Sequence, residues 1–238
     1  MTHVQTLADA EALASHAASE IACLLEEARA QRGVAHVALS GGGTPKRTYE
    51  LLAQTLESWD GVEVWFADER CVGPEDEQSN YRLAAETLLG PAAIAEDRMH
   101  RMLGELGTEQ GAARYVEELR RLQGAPIDVA VLGIGPEGHI ASLFPHHPAL
   151  KATEPCVGVS DSPKPPPQRI TLTLPVLRAV RHCLVIASGE EKAGAISGML
   201  GEPSEEVPAS LLPRERLSVI VDDDASGAPG VPWLTHSP

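Results

Sequence analysis

The run Ile127-Asp128-Val129-Ala130-Val131-Leu132 passes without a break into Gly133-Ile134-Gly135-Pro136-Glu137-Gly138-His139. A short apolar run ended by a glycine cluster predicts a buried strand closed by a turn. The same pattern recurs on either side. Val34 to Leu39 ends in Ser40-Gly41-Gly42-Gly43-Thr44-Pro45, and Val62 to Ala67 ends in Asp68-Glu69-Arg70. His182 to Ala187 and Leu217 to Val221 are further runs of strand length, and Ile170 to Leu174 alternates as a strand does. A short strand is expected over 98–102. Between these runs lie helical patterns. Over residues 8–31, Leu13, Ala17, Ile21, Leu24 and Leu25 recur at helical spacing. Other helices are expected from Pro45 to about Glu57, with Thr44 as N-cap and Pro45 at its first position, and over 79–88, 108–123 and 190–200. Short strands alternating with longer helices predict an α/β fold with a largely parallel central sheet flanked by helices. No internal repeat or long linker interrupts the pattern. Residues 1–238 therefore read as a single domain, with a peripheral tail from about residue 226.

Composition narrows the function classes. Of 238 residues, 43% are hydrophobic and 22% charged, enough to build a sizeable core. Aromatics are 3%, so the core must be mostly Ala, Val, Leu and Ile, and few rings remain for stacking on bases. The formal net charge of −15 repels a polyanion, which argues against nucleic acid as a partner. No stretch approaches the length of a membrane span, and the N-terminus lacks the form of a signal peptide. Cys23 and Cys183 lie in apolar runs and read as buried thiols, while Cys71 and Cys156 lie in or near loops. Their spacing fits no zinc module or disulfide framework, which suggests a reducing, cytoplasmic setting. No exposed apolar stripe is evident, so the chain reads as a monomer.

Ligands of open α/β sheets bind beyond the carboxyl ends of the strands. Three polar clusters fall there: 40–46, 68–70 and 133–142. Three consecutive glycines before a helix let backbone approach a ligand closely, and the free amides of a first helical turn suit a phosphate. The segment is neither a P-loop nor a dinucleotide fingerprint. A tight connection with no ligand stays open as a reading. Arg70 offers a planar fork to a phosphate, with Asp68 or Glu69 orienting it or binding sugar hydroxyls, although a charged triplet can also be plain surface. Lys164, Arg169 and Lys192 supply further cations, the first two flanking a proline run at 163–167.

His139 is the strongest candidate for chemistry. Ala141-Ser142-Leu143 looks like the first turn of a helix, whose positive end would keep the imidazole neutral and basic. Glu137 is placed to orient the ring. The alternative is a loop histidine bonded to backbone. Ser142 lacks the elbow of a serine nucleophile and suits a cap or a ligand hydrogen bond. His146 and His147 read as surface or rim residues, and a zinc site from His139, His146 and Glu137 has no recognised spacing.

Together these stretches closely resemble the 6-phosphogluconolactonase family. The matching runs are Ser40 to Pro45, Asp68-Glu69-Arg70 with Ser79-Asn80, and Gly133 to His139 continuing into Ala141-Ser142-Leu143-Phe144-Pro145. Lys164-Pro165-Pro166 with Arg169-Ile170-Thr171, and Gly189 with Lys192-Ala193, complete them. The resemblance implies a Rossmann-like three-layer fold, no metal and no cofactor, and a small phosphosugar lactone as substrate. It implies His139 as base, Glu137 as its acidic partner, and Ser40, Gly41, Gly42, Gly43, Thr44, Arg70 and Lys192 around the phosphate. Arg169 is a weaker candidate there. Departures are Glu137 where the family usually has Asp, Gly43 where it often has Ser, and Ile140 where it commonly has Thr. The alternatives are an isomerase or deaminase acting on glucosamine 6-phosphate and, further off, a non-catalytic sugar-phosphate binding module.

Overall fold

The computed structural model describes residues 2–227; most of the expected peripheral tail lies outside these described residues. Six strands form one sheet: β1 (His3–Leu7), β2 (Ala35–Leu39), β3 (Val62–Phe66), β5 (Val129–Gly133), β8 (His182–Ala187) and β9 (Leu217–Asp222). Their order is β1-β9-β8-β5-β2-β3, and every pairing is parallel. The helices are α1 (Ala10–Arg32), α2 (Gly43–Thr55), α3 (Asn80–Ala84), α4 (Gly107–Leu119), α5 (Leu174–Ala179) and α6 (Ala193–Leu200). This is the α/β architecture with a parallel central sheet expected from the alternation of patterns, and the Rossmann-like fold that the resemblance implies. A second sheet, which the sequence reading lacked, is antiparallel. It holds β4 (Asp68–Arg70), β6 (Cys156–Val159) and β7 (Arg169–Leu172) in the order β4-β7-β6.

The core follows the patterning. Leu13, Ala17, Ile21 and Leu25 of α1 are fully buried at a spacing of four, and the inner strands are buried almost throughout. The few aromatics join them, with Trp65, Tyr49, Tyr115, Phe66 and Phe144 among the largest buried side chains. Chain order places the cleft. From β2 the chain first builds β3 on one side and later returns to β5 on the other. The crevice between the ends of β2 and β5 is the topological switch point where such sheets bind ligands.

Several local expectations need correction. Helix α2 starts earlier than Thr44: its N-cap is Gly42, at φ 122°, with no side-chain cap bond. Residues 98–102 contribute one bridge, Val64 to Met99, rather than a strand. The strand expected over 170–174 spans Arg169–Leu172, and Leu174 already opens α5. The helix expected at 190 begins with a 3-10 turn, Glu190–Lys192, before α6. Residues 141–143 do not start a helix. Ala141 has φ 48°, and Ile140 bridges to Leu143 in a tight turn. Cys23 is exposed, because its position on α1 faces away from the sheet; Cys183 is buried as expected.

Candidate active site

The turn after β5 is closed by backbone. Gly138 N donates to Gly135 O at 2.8 Å, and Gly135 N donates to His139 O at 2.9 Å. Gly138 sits at φ 86°, which favours glycine. Gly135 is required for a different reason: a Cβ there would lie 1.9 Å from His139 Nδ1 and 2.8 Å from Glu137 Oε2. The imidazole and the carboxylate thus fold back onto the glycine backbone. His139 Nδ1 lies 3.2 Å from Glu137 Oε1, yet this buried nitrogen has no aligned hydrogen bond among the described residues. Distance alone overstates that contact. The ring leans on Phe144 with centroids 4.6 Å apart. Burial pushes His139 below the usual imidazole range. Glu137 pulls it back up, while the Lys164 cation presses it down. Burial, rather than a helix N-terminus, therefore favours the neutral base.

Around this turn lies a cleft of about 280 Å³. His139 lines it, as do Ser40, Gly41, Gly42, Gly43, Thr44, Asp68, Arg70, Lys164, Arg169 and Lys192. Glu137 and Ser142 are not among the residues that line it. Ser142 is fully buried and its Oγ donates to Asp68 Oδ2 at 2.7 Å, so it is neither a helix cap nor open to a ligand. The Ser40 hydroxyl is also engaged. It donates to Val131 O at 2.8 Å and accepts from Gly133 N at 3.2 Å, stitching the loop after β2 to β5. What this loop presents to the cleft is its backbone and the uncapped start of α2, where amides carry partial positive charge.

The cations divide by their partners. Arg70 Nη1 donates to Gln78 O at 2.7 Å, while its buried Nε has no partner among the described residues. Lys192 comes no nearer to Glu191 than 3.9 Å and is 20% exposed. Both have donors to offer an anion. Arg169 is buried and committed: it donates to Pro166 O at 3.1 Å, Pro165 O at 3.2 Å and Lys164 O at 3.3 Å. Its guanidinium therefore fixes the proline segment, with Asp68 Oδ2 4.0 Å away. Lys164 Nζ donates to Glu137 Oε2 at 2.8 Å. Burial opposes ionisation of Glu137, but the Lys164 hydrogen bond, a backbone amide and the charges of His139 and Lys164 together outweigh it and hold the carboxyl below its usual range.

Two residues near the cleft take roles the sequence reading did not give them. Glu69 is not an orienter of Arg70. It is buried and accepts from Arg70 N, Asn80 N, Ser79 Oγ and Tyr81 N at 2.6–3.0 Å, tying β4 to the start of α3. Asn80 donates through Nδ2 to Asp68 O and Oδ1, at 2.9 and 3.0 Å. Ser79-Asn80 was legible as a helix start and, with Asp68-Glu69-Arg70, as part of the family resemblance. His146 faces Glu206 at 3.2 Å and His147 faces Asp161 at 2.9 Å, both outside the cleft lining.

Fold and cleft together define a Rossmann-like α/β enzyme with a switch-point crevice suited to a small anion. Comparison with known proteins narrows this class. The model of the family described as Glucosamine-6-phosphate isomerases/6-phosphogluconolactonase matches residues 8–221, and the chain belongs to that family. It is 38% identical to 6-phosphogluconolactonase of Homo sapiens, over 95% of this chain and 92% of that one. It is 34% identical to the Streptomyces coelicolor 6-phosphogluconolactonase, over 97% and 95%. The crystal structure of 6-phosphogluconolactonase from Thermotoga maritima superposes with a TM-score of 0.85 at 27% identity, covering 93% of this chain and 99% of that one.

Proposed function

We infer that this enzyme hydrolyses 6-phospho-D-glucono-1,5-lactone to 6-phospho-D-gluconate, the lactonase step of the oxidative pentose phosphate pathway. The observation that carries the reading is the half-buried imidazole of His139, held between a glycine turn and a cation-lined cleft. The 6-phosphogluconolactonases similar to this chain over nearly their whole length support it.

The roles follow from the geometry. The phosphate rests against the 41–44 backbone, the start of α2, Arg70 and Lys192, which oppose its charge with amides and cations. Neutral His139 takes a proton from water as the water oxygen bonds to C1 of the lactone. Charge gathers on the former carbonyl oxygen. The bond from C1 to the ring oxygen then breaks, and protonated His139 returns its proton to that oxygen. Glu137 steadies the transient imidazolium. Asp68, Ser142 and Arg169 hold the cleft's shape from beneath. Leu106 is the one exposed large hydrophobic among the described residues, which supports action as a monomer. The acidic net charge supports a small-molecule substrate over nucleic acid, and the cysteine pattern supports a cytoplasmic setting.

The test is hydrolysis of freshly prepared 6-phosphogluconolactone, corrected for spontaneous loss, by wild type and His139→Ala. The expected loss of kcat is about 10²–10⁴-fold. A loss under about tenfold removes His139 as base. Because the family also includes glucosamine-6-phosphate isomerases, ammonia release from glucosamine 6-phosphate without lactone hydrolysis would overturn the assignment.

A further inference from the structure

Lys164 lines the cleft, as a phosphate ligand would, yet its ammonium is already engaged. Nζ donates to Glu137 Oε2 at 2.8 Å, and the other carboxylate oxygen stands 3.2 Å from His139 Nδ1 without aligning on it. The lysine backbone is also fixed. Lys164 N donates to Ser162 Oγ at 3.2 Å, Ser162 Oγ donates to Lys164 O at 2.9 Å, and Arg169 Nη2 donates to the same carbonyl at 3.3 Å. With its backbone tethered and its ammonium engaged, Lys164 is held at the Glu137 carboxylate rather than left open to a phosphate. It is well suited to set where a carboxylate points.

We propose that Lys164 is a positioning residue that acts on His139 through the shared Glu137 carboxylate, and not a ligand of the substrate phosphate. This rests on the reading of His139 as the base. The glutamate's length makes the arrangement possible, because one carboxylate reaches the lysine with one oxygen and the imidazole with the other. Lys164 draws the carboxylate off the Nδ1 axis and adds a like charge beside the ring, so both effects keep the imidazole neutral. Three charged groups act directly on the ring: Glu137 from its own turn, Lys164 from the proline segment and Asp68 from β4. Arg70, Arg169 and Lys192 line the same cleft from β4, β7 and the turn before α6. Removing Lys164 leaves Glu137 to align on Nδ1 and removes a cation, and each change favours the imidazolium.

The experiment compares wild type, Lys164→Gln and Lys164→Arg in the full chain. The His139 imidazole is titrated by NMR with labelled histidine, its resonance identified by its loss in His139→Gln. In Lys164→Gln the titration should move upward by about half a pH unit or more, and Lys164→Arg should stay near wild type. The acid limb of kcat/KM for the lactone should move with it, while KM above the limb changes less than about threefold. In a Glu137→Gln background the Lys164→Gln change should move the titration less than half as far. An unmoved titration in Lys164→Gln overturns the proposal. So does a KM rise of tenfold or more, which marks a phosphate ligand, or a full-sized movement in the Glu137→Gln background. The titration needs no turnover, so it decides the role of Lys164 even if the lactone proves not to be the substrate.

Discussion

The Ser142 hydroxyl donates to Asp68 Oδ2 at 2.7 Å, joining the turn beyond His139 to strand β4 across 74 residues of chain. Both side chains are buried. Ser142→Ala leaves that carboxylate oxygen with a lost donor, which costs about 1–3 kcal/mol. Urea denaturation should show a lower midpoint with an unchanged slope, and KM for the lactone should move less than about threefold. A tenfold KM rise at unchanged stability would restore Ser142 as a ligand.

The acid side of the pH profile reports His139. Burial lowers its proton affinity, opposed by Glu137 and assisted by Lys164. The active form is unprotonated, so kcat/KM should rise with pH through a midpoint below the ordinary value of about 6.5. The sign for stability is the same. The unfolded chain binds the proton more readily, so this group's contribution is present at neutral pH and is lost on acidification through that range. An acid limb centred above about 7 would contradict the assignment.

Arg70 lines the cleft beside the 41–44 backbone, and its buried Nε has no partner among the described residues. Arg70→Ala should raise KM by about 10–100-fold, the worth of a charged hydrogen bond, with a smaller change in kcat. The same variant should weaken inhibition by inorganic phosphate in parallel. Independence of the two effects would separate Arg70 from the phosphate.

Gly135→Ala places a methyl where the His139 ring now lies, 1.9 Å from Nδ1. The ring must swing away, and misplacement of about 1 Å can cost about 10²-fold. The expected outcome is a kcat reduced about a hundredfold. If kcat survives within threefold, the ring position seen here is not the working one.

Much of this was legible because hydrophobic period and glycine punctuation are local. The five parallel strands besides β1 and the rim position of Ser40–Thr44 and Gly133–His139 follow from runs of ten or so residues. What escaped was set by distant partners. Asp68–Arg70 reads as a charged loop but becomes a strand because β7 supplies a ladder beside it. Ser142 reads as a helix start but is claimed by Asp68. Glu69 carries no sign in its neighbours that four donors from residues 70–81 converge on it. Cys23 shows the limit of local reading within one helix, where an apolar neighbourhood still has an outward face.

Among the described residues, strand β1 pairs in this sheet with β9 alone, His3 opposite Ser218 and Leu7 opposite Asp222. At about 5–20 residues per second, roughly 10–40 s of synthesis separate the two. Through that interval the nascent chain carries β1 without its partner strand, the kind of segment that recruits wrong neighbours. Its polar content (His3, Gln5 and Thr6 among five residues) keeps that waiting edge from being sticky. Pairing of β1 in the sheet thus waits for the synthesis of β9.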